Sequence, residues 1–470
     1  MIHIVHLYVL YIRMKSSNRN ILLFAIVVAV LVNMLSWNFP FFWDTILTST
    51  ITHSIFEHGG LLPPPSIDAG HPPLFYWYIV LMYQLFGYSL QVAHLAMLPF
   101  TIIGATTFIL ILQKFQFSKL QQYFAVLFYF SIPAVFTQHT MLSYDVVLLS
   151  MYCAALTAFL YQRKILLSLI SIVLVGVSLR GIVCLFAISM TIYFFEKRKF
   201  KMWWHWNLYF IPALIFSFIW YYFHYTQTGW WISTPSIAWS QHRSFVDAKG
   251  FAVNLFSIAR CFFDVGIFIL SVLTALYFIK VKKLDKLMMI WCIPALIFIS
   301  FFISFSNPIN HRYFLIVYVF LLLPVLKFLS DKKVYVQFIF LFIVILGHFQ
   351  IYPVPISNAW DCTMQYTNYS SVKQEAENFI TSKNINRDAI ATVFPMNASF
   401  LQTNNKVGYA RLENIHAHAI DSIPYILFSN VGNDFSDTQI KQLQQWHQIA
   451  SFDKGLIHMI LYKNPVFSNY

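Results

Sequence analysis

The sequence predicts an α-helical polytopic membrane protein, with about 11 transmembrane helices and a small C-terminal α/β extracytoplasmic domain. Three observations predict it. Of 470 residues, 59% are hydrophobic and 10% charged, where an ordinary soluble domain carries about 25% charged residues. So apolar a chain cannot stay solvated as a disordered one either. The basic residues gather at 13–19, Lys114 and Lys119, Arg163-Lys164, 197–201, 280–286 and 327–333. Because cytoplasmic loops collect Lys and Arg, these six sites order the whole chain. Finally, residues 1–351 hold 23 basic and 9 acidic side chains, and 352–470 hold 8 and 9. The excess of +13 therefore belongs to the membrane-like part, which argues against a nucleic-acid partner.

Taken in order, the crossings fall near 20–39, 93–113, 120–137, 145–162, 165–179, 182–195, 206–223, 260–279, 287–304, 313–327 and 334–351. They place the N-terminus in the cytoplasm and the tail outside, in a multi-pass protein of the cell (inner) membrane. No cleavable-signal pattern is expected, since the apolar run begins at Ile21, after Arg13, Lys15 and Arg19. Leu74 to Phe86 is too short to cross and has no basic neighbour. It reads as an interfacial helix within one external loop, 40–92. Domain 1–351 is thus the membrane part, with further external segments at 138–144, 180–181, 224–259 and 305–312. Arg180, Arg243, Lys249, Arg260 and Arg312 lie on that outer side. Positive charge there opposes the orientation rule. The bland reason is pairing with an acid or snorkelling; the functional one is an anionic ligand at the membrane surface.

The second domain, 352–470, reads as soluble α/β. Ser371-x-x-Gln374 is a candidate capping box for a helix to about Lys383. Ala389–Phe394, Tyr425–Phe428 and Leu456–Tyr462 read as strands, and Asp437–Ile449 has helical spacing. No catalytic constellation is visible in this domain, which reads as a lid or scaffold. The five cysteines are scattered, without metal spacing or a disulfide framework. His53-Ser-Ile-Phe-Glu57-His58 lacks the HExxH or HxxEH spacing of zinc enzymes.

Three features concentrate on the expected outer face. Asp44 follows the first span, where it either caps an interfacial helix or serves chemistry. Asp68-Ala-Gly70-His71-Pro72-Pro73-Leu74 forms a tight turn into the short aromatic helix. Asn310-His311-Arg312-Tyr313 is a polar turn before the tenth span.

Together these residues resemble bacterial lipid-linked sugar transferases. These are the GT-C membrane glycosyltransferases related to protein O-mannosyltransferases and the aminoarabinose transferases of lipid A. The resemblance rests on Asp44, Asp68-x-x-His71-Pro-Pro-Leu, Leu85-Phe86-Gly87 and His311-Arg312-Tyr313. Gln138…Asp145 and Leu179-Arg180-Gly181 add to it, over roughly 20–330. Relatives often carry a second acid after the first; here Asp44 is followed by Thr45, which leaves Asp44 as the best single acid.

The resemblance implies an inverting glycosyltransferase. It would move a sugar from a polyprenyl-phosphate donor to a hydroxyl on a glycan, lipid or protein acceptor, among membrane lipids. Asp44 is the expected general base and Asp68 the second choice. Cations should stabilise the leaving phosphate. Arg312 is the first candidate, with its forked donors, then Arg180 and His311, with Arg243 on a closing loop. His71, Tyr144, Asp145 and Tyr313 complete the expected substrate-binding set. For His71 the bland alternative is a hydrogen bond within the turn; for Tyr144 and Asp145 it is anchoring a span. One base plus cations suffices for this chemistry, so no cofactor is required and no metal site is expected. The competing class is a polytopic transporter or flippase, for which inverted repeats and midplane polar residues would be expected.

Overall fold

A computed structural model describes residues 16–232, 244–264, 266–282, 285–349, 360–417, 419–432 and 434–467. The first part is a helix bundle. It opens with α1 (Ser16–Leu35), then α2 (Asp44–His58) and α3 (Leu74–Phe86), the two short helices of the 40–92 segment. Next come α4 (Leu90–Lys114), α5 (Lys119–Ser131), α6 (Pro133–His139), α7 (Tyr144–Leu160), α8 (Lys164–Val177) and α9 (Arg180–Phe195). They are followed by α10 (Phe200–Asn207), α11 (Ile211–Thr228), α12 (Ala248–Phe263), α13 (Ile267–Val281), α14 (Lys286–Ser304), α15 (Leu315–Leu329) and α16 (Val334–Leu346).

Among the described residues, four helical runs are long and apolar enough to cross a membrane: Leu90–Lys114, Phe200–Thr228, Lys286–Ser304 and His311–Leu329. Two bent pairs and six shorter apolar helices accompany them. The expected span 120–137 is broken, with α5 and α6 meeting at 73°. Pro133 has no N–H to donate and pushes Ile132 into extended geometry, which ends α5. A second correction concerns 224–259, expected as loop. Residues from Ala248 are helical, because the Asp247 carboxylate accepts the Gly250 N–H (2.7 Å) and caps α12. That helix meets α13 at 90°, so the expected span 260–279 is also bent.

Two helices form the middle of the bundle. All of α7 after Tyr144 is buried, as is nearly all of α15. Protein packs around both on every side, so whatever these two carry at their first turns is held rigidly.

The tail folds on a five-stranded sheet of order β2-β1-β3-β5-β4. Its strands are β1 (Ile390–Thr392), β2 (Glu413–Asn414), β3 (Tyr425–Ser429), β4 (His447–Lys454) and β5 (Ile457–Lys463). The first three are parallel, and β3-β5-β4 are antiparallel. Helices α17 (Tyr366–Ser382), α18 (Phe400–Asn404) and α19 (Asp437–Leu443) complete it. The expected capping box at Ser371 lies inside α17, which already begins at Tyr366; the Ser371 hydroxyl instead accepts from Lys454 Nζ (2.9 Å). The helix expected over Asp437–Ile449 ends at Leu443, and β5 recruits residues from His447 as a hairpin partner.

Ties between bundle and tail include two buried side-chain clusters. Asn405, buried after α18, bonds Ser49, Tyr83 and Tyr88 of the 40–92 segment. The turn Trp360–Cys362 packs against α6, where Gln138 Nε2 donates to the Asp361 carbonyl (2.8 Å).

Candidate active site

The charged cluster at the tail-facing end of the bundle is built from helix starts. Asp44 is the first residue of α2, Asp145 the second of α7, Arg180 the first of α9, and Arg312 lies in the 3₁₀ turn leading into α15. Helix N-termini present unpaired N–H groups and a positive dipole end, which favour Asp44 and Asp145 there. They disfavour guanidinium groups, so both arginines depend on their acids. Gly181 is what lets α9 begin so close to α8: a Cβ there would lie 1.8 Å from the Leu174 carbonyl oxygen.

Arg312, buried, is the hub. Its Nη2 reaches Asp44 Oδ2 at 2.5 Å, Nη1 reaches Asp361 Oδ2 at 3.2 Å, and Nε lies 3.9 Å from Asp145 Oδ2. Arg180 pairs with the other oxygen of Asp145. Tyr313 adjoins both guanidinium groups, whose carbons lie 4.6 Å (Arg180) and 5.2 Å (Arg312) from its ring centroid. Tyr144 lies 5.3 Å under Arg180, and the His71 ring 5.5 Å from Tyr144. Two cations therefore face three carboxylates, within reach of several aromatic faces.

Asp361 comes from the tail, which sequence reasoning read as lid or scaffold. Its Oδ1 accepts from Asn310 Nδ2 (3.0 Å) and Cys362 Sγ (3.4 Å). Burial pushes its carboxyl above the usual range, against the pull of Arg312. No local pattern around Trp360-Asp361-Cys362 marks it. The available signal is that a buried Arg needs acids, and the bundle segment alone supplies few.

Asp44 keeps a free side: its side chain is 24% exposed. The residue before it, Trp43, holds φ +54°, a conformation bulky residues rarely adopt. The bend is secured by Thr45, whose hydroxyl accepts the Phe42 N–H (2.9 Å) and donates to the Phe42 carbonyl (2.6 Å). Thr45, where the resemblance leads one to expect an acid, thus shapes the turn that presents Asp44.

Asp68 is placed otherwise. Its side chain is 2% exposed; Oδ1 accepts the Gly70 N–H (2.7 Å) and Oδ2 lies 2.9 Å from His224 Nε2. Gly70 supplies the left-handed φ of +69° that this turn requires. His224 is a second residue that sequence reasoning missed; its Nδ1 lies 3.2 Å from the Trp230 carbonyl oxygen. Tyr76 of α3 is buried; burial raises its phenol, and Tyr144, Asp68 and Asp44 each push it further. His311 turns to Asp264 and lies near Cys261 Sγ (3.9 Å). Arg243 lies outside the described residues.

With this geometry, two solved structures are comparable. ArnT from Cupriavidus metallidurans in the apo state superposes with a TM-score of 0.53 at 12% identity, over 94% of this chain and 97% of that one. The chain shares the ArnT fold. ArnT bound to undecaprenyl phosphate gives a TM-score of 0.52 at 17% identity, over 67% of this chain; the match spans 62% of that chain's length. No family model matches the sequence, and no curated protein matches it.

Proposed function

We propose that the protein is an inverting glycosyltransferase. It moves a sugar from a polyprenyl-phosphate donor to a hydroxyl acceptor at the outer face of the membrane, with Asp44 as general base. The observation that carries this reading is the contact of a partly exposed carboxylate with a buried arginine, beside a second arginine, at a ring of helix N-termini. Such a ring favours a phosphate, and an ArnT of this fold binds undecaprenyl phosphate.

In the reaction the acceptor oxygen attacks C1 of the sugar as Asp44 takes its proton. The bond from C1 to the phosphate oxygen breaks, and its electron pair stays on that oxygen. A singly charged diester becomes a monoester with a second negative charge, which Arg312 and Arg180 are placed to receive. Arg312 then exchanges part of its hold on Asp44 for the phosphate, while Asp361 and Asp145 keep its fork aimed. No resident metal or cofactor enters this scheme. His71, Tyr144 and Tyr313 would line the sugar. His311, turned to Asp264, would hold the turn that carries Arg312. Arg243 keeps the contact role the resemblance implies for it.

Topology belongs to the same proposal. The four long runs, the two bent pairs and five of the six shorter helices, all but Leu74–Phe86, supply the segments for eleven crossings, with the N-terminus cytoplasmic. The membrane part would be 1–351 and the extracytoplasmic domain 352–470.

The test is transfer from a labelled polyprenyl-phosphate sugar in membranes carrying the wild type, Asp44→Asn or Arg312→Ala. Activity surviving both substitutions would sink the reading.

A further inference from the structure

The seam between bundle and tail encloses a cleft of about 360 Å³, within the range of small-ligand sites, about 300–1,000 Å³. Three stretches remote in sequence build it: Phe39–Phe42 after α1, the first turns of α17, and α18 with Tyr409. Its walls are aromatic, including Phe42, Phe400 and Tyr409, and its polar lining includes Ser371, Gln374 and Asn404.

We infer that this cleft binds a neutral sugar unit of the acceptor glycan. Its role as an acceptor site rests on the transferase reading above. A pyranose offers an apolar C–H face and a belt of hydroxyls, which matches rings flanked by amides and hydroxyls. Among the described residues no acid lines the cleft, and Lys373 is the one base that does. The Lys373 amine is turned away: it is 2% exposed and donates to the Ala398 carbonyl (2.6 Å). A charged ligand would therefore find no free counter-ion.

The cleft is open to solvent along α17, where Gln374 is exposed. The location fits an acceptor as well. Phe42 lies two residues before Asp44, which limits their Cα separation to about 7 Å.

The experiment uses the full-length protein in detergent and saturation-transfer NMR. The probes are neutral trisaccharides of hexose and of N-acetylhexosamine, with dodecyl phosphate reporting on the arginine pair. At least one trisaccharide should bind the wild type. Ser371→Trp, which fills the cleft, should weaken it about tenfold, the loss of a well-formed contact area. Gln374→Ala, which removes an exposed amide of the polar lining, should weaken it about fivefold without lowering the melting temperature. Should Ser371→Trp fail to fold, Gln374→Ala decides alone. Dodecyl phosphate should bind both variants as it binds the wild type. Arg312→Ala should lose dodecyl phosphate and keep the saccharide. If no trisaccharide binds, or if the variants bind it undiminished, the inference is overturned. If the saccharide binds but dodecyl phosphate never does, the donor reading fails and the cleft remains a sugar site.

Discussion

Asp44 and Asp68 are both acids of the 40–92 segment, yet the fold uses them in opposite ways. Asp44 opens a helix, keeps a quarter of its surface exposed and lends one oxygen to Arg312. Asp68 is closed off, with one oxygen on the Gly70 N–H and the other at His224. A carboxylate can take a proton from a substrate only with an oxygen that substrate can reach. What separates a candidate base from a structural clasp is therefore the valence left over after folding, which residue type alone does not reveal.

The strongest way to break this contrast is to exchange the two. Asp44→Asn should lower kcat for sugar transfer by about 10²–10⁴-fold, the usual worth of a general base, with the donor KM little changed. If Asp68→Asn costs as much while Asp44→Asn is active, the assignment is reversed. Next comes Arg312→Lys, which keeps the charge but cannot span Asp44 and Asp361 together. A loss of about 10²–10³-fold in kcat is expected, comparable to removing one donor to developing charge.

A smaller effect should follow Asp361→Asn, read as about a tenfold rise in donor KM, the cost of loosening one charge-assisted contact. Its pH dependence sharpens the comparison. Because burial raises the Asp361 carboxyl, it takes a proton on acidification before ordinary carboxylates do, and its hold on Arg312 goes with it. The sign follows: donor KM should rise as pH falls toward the raised pKa in the wild type, and this limb should vanish in the variant. Smallest for transfer is Asp68→Ala, expected to change kcat only a few-fold. It should lower the melting temperature, because it leaves the buried His224 Nε2 without its Asp68 partner, a loss of about 1–3 kcal/mol. A large kcat loss in a variant that melts like the wild type would move Asp68 into the chemistry.

Much of this was legible beforehand. Apolar runs and basic punctuation give the helical membrane class, and the short helix Leu74–Phe86 is found at the bounds its composition implied. The strands expected over Ala389–Phe394, Tyr425–Phe428 and Leu456–Tyr462 are found as Ile390–Thr392, Tyr425–Ser429 and Ile457–Lys463. Local chemistry that overrode the pattern was harder to see, as at Pro133 and at the Asp247 cap.

By itself the sequence determined the solvent of the bundle, the order of its helices and a short roster of acids and arginines, because these depend on composition and neighbours a few residues apart. Only the tertiary structure decided which of them meet. Asp361 lies 317 residues after Asp44 and shares one guanidinium with it, and His224 reaches Asp68 from another helix. Such pairings are settled by the energy of burying charge. It forces each ion to find a partner wherever packing brings one, and leaves no trace in local spacing.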